Sequence, residues 1–307
     1  MPLDAFTNTF AGLRLDRGGD QRSDAAWLAE QAANPEARAL AMWNGGPLVT
    51  DAGDRLTWLQ TPFAEDAAGP PLLFLGHDGE VPVFAVEFEG EADPAAGPLE
   101  GLGRFIDMRG AGAMLSTHEA ACAALAKSLL DWRAHHGFCA RCGTRSEDAA
   151  GGWRRRCPAC AAEHFPRVDP VVIMLATHTG ADGEPRCLVG RQAAWPPGRM
   201  SALAGFLEPG ESIEEACARE LFEEAGVRAV RVTYHSSQPW PFPSSLMIGL
   251  YAEVDSGEAR PDQTELEAVR WLTRAEARAV IAGEHPEVGA PPPVAIAHQL
   301  IKAWAEG

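Results

Sequence analysis

The sequence predicts an α+β protein in three parts: an N-terminal α+β domain over residues 1–136, a short cysteine-bearing segment over 137–165, and a mixed sheet between helices over 166–307. Three observations carry this division. Strand-like runs outnumber well-separated helical ones after Pro166, which suits a mixed sheet with helices on its faces. Two CxxC pairs fall close together just before it. Beyond them, GFLEPGESIEEACARELFEEAGV (Gly205 to Val227) packs seven glutamates into a helix-patterned stretch with no matching run of Lys or Arg.

With 307 residues, 46% hydrophobic and 22% charged, the chain has the length and composition of a globular protein of two or three domains. Met1 to Glu30 has no apolar core behind a basic start, and no apolar run reaches the length of a membrane span. We therefore expect no membrane partner and a cytoplasmic location. The net charge of −17 disfavours a general affinity for nucleic-acid phosphates. An acidic enzyme can still act on phosphates when metal ions supply the positive charge. No internal repeat is visible.

In the N-terminal part, PLLFLG (71–76) and VPVFAVEFEG (81–90) are strand candidates, the second alternating as a half-buried strand does. STHEAACAALAKSLLDWRAHH closes the region as a helix, with Ser116 and Glu119 matching a capping box and apolar spacing kept up to Trp132. No catalytic pattern stands out in this part; packing, dimerisation or a substrate wall are its expected roles.

Cys139, Cys142, Cys157 and Cys160 form C-x2-C-x14-C-x2-C. Two tight turns, each carrying a pair of thiolates, present four ligands tetrahedrally to one Zn²⁺, so a closed, structural zinc ribbon is expected. Cys122, Cys187 and Cys217 lie in apolar patterns and read as buried. Arg154, Arg155 and Arg156, with Arg141 and Arg145 close by, make a local basic patch. It reads as solvated ribbon surface, with contact to a polyphosphate or RNA backbone as the sharper alternative.

After the ribbon come strand candidates at 170–175, 187–192, 228–235, 246–254 and 267–273. A helix follows the last of them, and a final helix runs from about Ala295 to Ala305. Within the glutamate segment, Ser212 with Glu215 makes a capping box and Gly226 stops the helix. At about 100° per residue, Glu220 and Glu224 fall within roughly 40° of each other, with Glu223 about 60° to the other side. Their carboxylates share one face, and Ala218, Leu221, Phe222 and Ala225 are expected on the opposite, core-directed one. Clustered carboxylates are hard ligands for Mg²⁺ or Mn²⁺, which would supply the missing countercharge.

Gly205, Glu211, Arg219, Glu220, Leu221, Glu223, Glu224, Gly226 and Val227 match G-x5-E-x7-R-E-U-x-E-E-x-G-U throughout, and the segment resembles the Nudix box. The resemblance implies a loop–helix–loop that sets Glu220, Glu223 and Glu224 beside a diphosphate as metal ligands and catalytic base, with Glu211 and Arg219 paired to fix the loop. It also implies a metal-facing carbonyl at Ala204 and an acidic ligand beyond the box, for which Glu265 is the candidate and Glu267 the competitor. SQPWPFPSS follows, in which three prolines fix the backbone around Trp240 and Phe242 for ring stacking, while Gln238 and Ser244 offer hydrogen bonds.

Ribbon, Nudix box and SQPWPFPxS in this order resemble the NADH pyrophosphatase branch of the Nudix family, from about Phe138 to the C-terminus. That branch implies hydrolysis of NAD(H) to AMP and nicotinamide mononucleotide, removal of NAD caps from RNA, and a homodimer. Its substrate positions map to Phe165 (a Phe where the branch usually has Tyr), to Gln238, Pro239, Trp240, Pro241, Phe242, Pro243, Ser244 and Ser245, and to Ala297. Two alternatives stand beside it. One is a broader Nudix hydrolase of ADP-ribose or diadenosine polyphosphates. The other is a non-catalytic zinc-ribbon nucleic-acid or regulatory module.

Overall fold

The computed structural model describes residues 8–69 and 72–307. The first seven residues of the N-terminal stretch and Pro71 of PLLFLG lie outside them. The chain forms two compact units. The first comprises Thr9–Val168 with Trp240–Ser244; the second, among the described residues, comprises Asn8, Asp169–Pro239 and Ser245–Gly307.

In the first unit, α1 (Ala25–Ala33) starts at Asp24, whose carboxylate accepts the N–H groups of Ala26 and Trp27. There follow β1 (Arg38–Trp43), β2 (Gly46–Val49), β3 (Trp58–Gln60), α2 (Thr61–Ala68), β4 (Leu73–Asp78), β5 (Val81–Phe88), β6 (Arg104–Phe105), α3 (Met108–Met114) and α4 (Thr117–His135). The sheet runs β4-β5-β1-β2-β6, with β3 also paired to β1 and with β1 and β5 parallel. The strand β5, expected to be half-buried, is buried on both faces. It sits between β4 and β1, with Val83 and Ala85 on the core beneath α4 and Phe84 and Val86 on the opposite core with Trp27 and Ala64. The Ser116 cap of α4 forms, but Glu119 does not close the box; its carboxylate accepts from the Ser116 hydroxyl and from the Leu56 N–H instead.

The ribbon is a three-stranded sheet of β7 (Glu147–Ala149), β8 (Arg154–Arg156) and β9 (Glu163–His164). Its arginines are not a uniform basic surface. Arg155 is buried and donates to Asp148 and to the hydroxyl and carbonyl of Ser146, while Arg154 pairs with Glu163. Pairing with a carboxylate is the condition for burying a guanidinium, and it removes Arg155 from the patch read in the sequence. Arg141, Arg145 and Arg156 stay exposed.

The second unit holds β10 (Asp169–Thr179), β11 (Pro185–Arg191), β12 (Leu203–Phe206), α5 (Ile213–Ala225), β13 (Ala229–Trp240, whose last residue groups with the first unit), β14 (Ser245–Val254), β15 (Ala268–Thr273), α6 (Arg274–Ala282) and α7 (Ile296–Glu306). Its sheet order is β13-β14-β10-β11-β15, with β12 also on β10 and with β10 parallel to β14. Alternation along β10 builds two cores. Val172, Met174 and Ala176 meet α5 through Ala216, Cys217 and Leu221; Ile173 and Leu175 meet α6 and α7 through Val280, Leu300 and Trp304.

The two sheets have the same order, strand for strand. In each, a short strand hangs off the central one, and a helix follows it: α2 after β3, α5 after β12. The sequence showed no repeat because the duplication lies in topology, and the two helices carry different chemistry. β3 passes straight into the eight-residue α2, whereas residues 207–212, with Glu208, Gly210 and Glu211, separate β12 from the thirteen-residue α5.

Candidate active site

Helix α5 is fixed at both ends by its own sequence. The Ser212 hydroxyl accepts the Glu215 N–H at 3.2 Å and the Glu215 carboxylate accepts the Ser212 N–H at 2.7 Å. At the other end Gly226 takes φ 68°, a left-handed value that suits glycine. Glu214 and Glu215 lie in the first turn, where negative charge is favoured by the helix dipole. Residues 259–262 strap the C-terminal end: the N–H groups of Arg260 and Asp262 donate to the carbonyls of Ala225 and Glu224.

Arg219 partly answers the glutamate excess. Its guanidinium holds Glu211 through Nε at 2.6 Å and Nη2 at 3.0 Å, and donates from Nη1 to Glu220 at 2.8 Å and Glu223 at 2.9 Å. Nη2 also donates to the Phe206 carbonyl at 2.9 Å. The loop 206–211 is thereby tied to the helix by the planar fork that Lys lacks. Arg219 holds the Glu211 carboxyl down at about 2.

Glu220 and Glu224 behave differently. Both are buried, Glu224 at 3% exposure, on the same side as Cys217, Leu221 and Ala225. The core-directed face therefore differs from the expected one. Phe222 is 49% exposed under the Arg228 guanidinium, Ala218 is half-buried, and the carboxylates flank the core instead of opposing it. The Glu220 carboxylate fills the space where a side chain at Gly205 would stand. Glu224 Oε2 is buried without a hydrogen-bond partner. Desolvation, then the charges of Glu220, Glu265, Asp262 and Glu223, push its carboxyl up to about 8. Desolvation also raises Glu220.

Among residues expected beyond the box, Glu265 is exposed and near enough to act electrostatically on both Glu220 and Glu224. Asp262 shapes its loop by accepting the N–H groups of Thr264, Glu265 and Leu266. Glu267 is engaged elsewhere, with Arg191 at 2.5 Å. Asp262 was not singled out in the sequence; its Asp-x-x-x spacing to a strand is a turn signal that carries no mark of a nearby glutamate. Ala204 and Gly205 sit side by side in β12, opposite Ile173 and Val172. The glutamate oxygens do not converge as tightly as the thiolates, since Arg219 draws Glu220 and Glu223 towards itself. A buried, unpartnered carboxylate oxygen among like charges nevertheless fits a hard divalent cation.

The ribbon thiolates do converge. They are the one set of three or more potential ligand side chains among the described residues whose ligand atoms all lie within 4.8 Å of one another. Sγ–Sγ separations of 3.6 Å for Cys139–Cys160 and 3.5 Å for Cys142–Cys157 approach the roughly 3.8 Å edge of a tetrahedron with Zn–S near 2.3 Å. The residue after each pair, Gly143 or Ala161, turns the chain with a positive φ. Cys122, Cys187 and Cys217 are buried, as expected.

Residues of the SQPWPFPSS segment are divided between the two units. Gln238 is buried, and its amide is spent inside the second unit: Nε2 donates to the Val294 carbonyl and Oε1 accepts the Ile296 N–H, both at 2.8 Å. It holds the start of α7. Ala297, expected to touch substrate, is 2% exposed and packs in the core with Ile173 and Val189. Trp240 and Phe242 have ring centroids 4.9 Å apart and pack on the first unit's core, both against Phe10. Arg109 lies 4.4 Å over the Phe242 ring. Pro239 and Pro243 are exposed, Pro241 is buried, and Ser244 and Ser245 are half-buried. Phe165 is 62% exposed.

A capped helix that buries two glutamates, cross-tied to a glycine-bearing loop on a mixed sheet, is the architecture of a Nudix hydrolase. Family models match the chain in three places: a NUDIX domain over 168–290, an NADH pyrophosphatase zinc ribbon domain over 134–165, and an NADH pyrophosphatase-like rudimentary NUDIX domain over 36–132. The last agrees with the duplicated sheet order. The chain is 36% identical over 340 aligned positions to the NAD-capped RNA hydrolase NUDT12 of Macaca fascicularis, covering 97% of this chain and 73% of the relative. It is 39% identical over 242 positions to the NAD-capped RNA hydrolase NudC of Deinococcus radiodurans, covering 78% and 81%. Among solved structures, a NUDIX hydrolase from Nitrosomonas europaea aligns with a TM-score of 0.41 and 22% identity, over 55% of this chain and 90% of that one. The chain belongs to the Nudix hydrolase family, in the branch that joins a rudimentary NUDIX domain and a zinc ribbon to the NUDIX domain.

Proposed function

We propose that this chain hydrolyses the diphosphate of NADH and NAD⁺, releasing AMP and nicotinamide mononucleotide, and removes NAD caps from RNA by the same cleavage. The observation that carries the reading is the unpartnered, buried carboxylate oxygen of Glu224 among Glu220, Glu223 and Glu265. Identity to NAD-capped RNA hydrolases over most of the chain supports the choice of substrate.

In this reading Glu220, Glu223, Glu224, Glu265 and the Ala204 carbonyl would hold Mg²⁺ or Mn²⁺. When bound, the metal neutralises diphosphate oxygens, lowers the pKa of water and stabilises the leaving phosphate. The protein's own part is positional. Gly205 leaves room for Glu220, the Arg219–Glu211 pair fixes the approach loop, and a glutamate of α5 takes the proton of the attacking water. Catalysis belongs to residues 166–307 and structural zinc to 137–165, while 1–136 repeats the sheet without the acidic helix. Phe165, Trp240 and Phe242 are assigned to the substrate's rings. A cytoplasmic homodimer completes the proposal. No helix among the described residues is long and apolar enough to cross a membrane.

The test is product analysis with purified protein, Mg²⁺ and NADH, NAD⁺ or NAD-capped RNA in labelled water. AMP and nicotinamide mononucleotide, with label on one phosphate, are expected. A preference for ADP-ribose or diadenosine polyphosphate over both nicotinamide dinucleotides would move the chain to a broader Nudix activity.

A further inference from the structure

Most of the partly buried arginines of this acidic chain have a carboxylate. Arg38 has Asp78, Arg155 has Asp148, Arg191 has Glu267, and Arg219 has three. Arg22 has none. Its guanidinium lies 4.1 Å over the ring of Trp153, and that of Arg17 lies 5.6 Å from the same ring. Arg22 Nη1 is buried without a hydrogen-bond partner. Burial, and after it the like charge of Arg17, disfavours the charged form of Arg22.

Two cations brought together with no ion pair to either among the described residues cost free energy, so the fold must hold them there. Gly18 does so, at φ 55°, in a turn where its carbonyl accepts the N–H groups of Gln21 and Arg22 and its N–H donates to the Asp16 carboxylate. Trp153 is pinned by its indole N–H to the Phe74 carbonyl at 2.7 Å. The platform is therefore built from the N-terminal segment, β4 and the ribbon, all within the first unit.

We propose that Arg17 and Arg22, gathered on Trp153, form a phosphate-binding site that holds a phosphodiester of the RNA chain. A guanidinium is suited to phosphate because its planar fork gives paired donors. The ring beneath Arg22 holds its guanidinium plane by cation–π attraction, and the exposed Arg17 beside it offers the more accessible fork. In a chain of net charge −17, a local cation pair is needed to hold a polyanion. The assignment to RNA rests on the capped-RNA reading above; the site itself does not.

The test compares wild type with Arg17→Gln, Arg22→Gln and the double variant in the full chain. The probes are inorganic phosphate, a short single-stranded RNA with a 5′-monophosphate, NAD-capped RNA and NADH. We expect the double variant to bind the uncapped RNA on the order of tenfold more weakly at low salt, with the log–log salt slope reduced by about 0.7 for each phosphate that is no longer neutralised. kcat/KM for capped RNA should fall with it, while kcat/KM for NADH stays unchanged. Arg17→Gln alone, at an exposed position, gives a partial effect that no folding defect can mimic. Unchanged RNA affinity and salt slope in the double variant would overturn the RNA assignment. Loss of inorganic phosphate binding in that case would leave only a small-anion site, and retained phosphate binding would remove the site as well. If wild type leaves capped RNA intact but uncapped RNA binding still depends on both arginines, the site stands and the capped-RNA reading falls.

Discussion

The carboxylate of Glu220 occupies the volume that a Cβ at Gly205 would need. Gly205 has extended backbone in β12, opposite Val172, so its requirement is for space and not for conformational freedom. Gly205→Ala should displace Glu220 and with it the Nη1 hydrogen bond of Arg219. A misplacement of about 1 Å can cost on the order of a hundredfold in rate. We expect kcat with NADH and Mg²⁺ to fall by about that factor with folding retained. A variant of near-normal kcat would show that Glu220 does not have to stay where it is.

Glu224→Gln should separate activity from stability. Turnover should fall by on the order of a hundredfold or more on loss of a ligand or base. The metal-free protein should instead become more stable at alkaline pH. The Glu224 carboxyl is raised to about 8 from an ordinary 4.5, so the folded state favours the protonated form. Its contribution to stability is full below about pH 4.5 and is lost as pH rises through about 8. Melting temperatures of the metal-free protein from pH 5 to 9 should fall more steeply for wild type than for Glu224→Gln. Mg²⁺ should restore wild type most at the alkaline end. Parallel curves would exclude a costly buried charge at this position.

The helix bearing these groups was legible because its signals are local: a capping box, a terminal glycine and an i, i+4 glutamate pair. The ribbon was legible for the same reason, its four ligands lying within 22 residues. Features that depend on distant contacts were not. Phe222 falls on an apolar stripe by sequence yet is exposed beneath Arg228. The Gln238 amide is consumed by Val294 and Ile296, 56 and 58 residues away. β1, with the buried run Ala39–Met42, shows no alternation because it is covered on both faces, and so the duplicated sheet stayed hidden.

Cys139→Ser should weaken or release one Zn²⁺ per chain and lower the melting temperature, because binding energy at such a site is folding energy. Glutamate-dependent hydrolysis should persist in whatever protein stays folded. Elemental analysis of wild type, with a chelator titration of the variant, checks both statements. Absence of zinc from wild type would refute the closed tetrahedral site.

Ala161 takes φ 57° at the position equivalent to Gly143 in the other cysteine turn. A left-handed conformation costs a residue with Cβ about 1–2 kcal/mol, partly offset by the greater chain entropy that Gly loses on folding. Ala161→Gly should therefore stabilise the zinc-loaded protein by about 0.5–1 kcal/mol. A measured loss of stability in thermal melts would indicate that the Ala161 methyl makes packing contacts worth more than the strain.

Trp240 decides between two uses of the SQPWPFPSS segment. Its ring packs with Phe242 at 4.9 Å and meets Phe10 edge-on at 6.1 Å, so Trp240→Ala removes aromatic contacts from the first unit's core. Loss of stability alone would lower activity equally on every substrate. If the exposed part of the ring also stacks on the substrate, the loss should depend on how many ring systems the substrate carries. Stacking on an aromatic is worth about 1–3 kcal/mol per base, which corresponds to roughly a tenfold to a hundredfold fall in kcat/KM for NADH. ADP-ribose has no nicotinamide ring and should lose far less. Rates for both substrates, measured on the folded fraction of the same preparation, give the answer. Equal losses on NADH and ADP-ribose would assign Trp240 to packing on Phe10 and leave substrate choice to other residues.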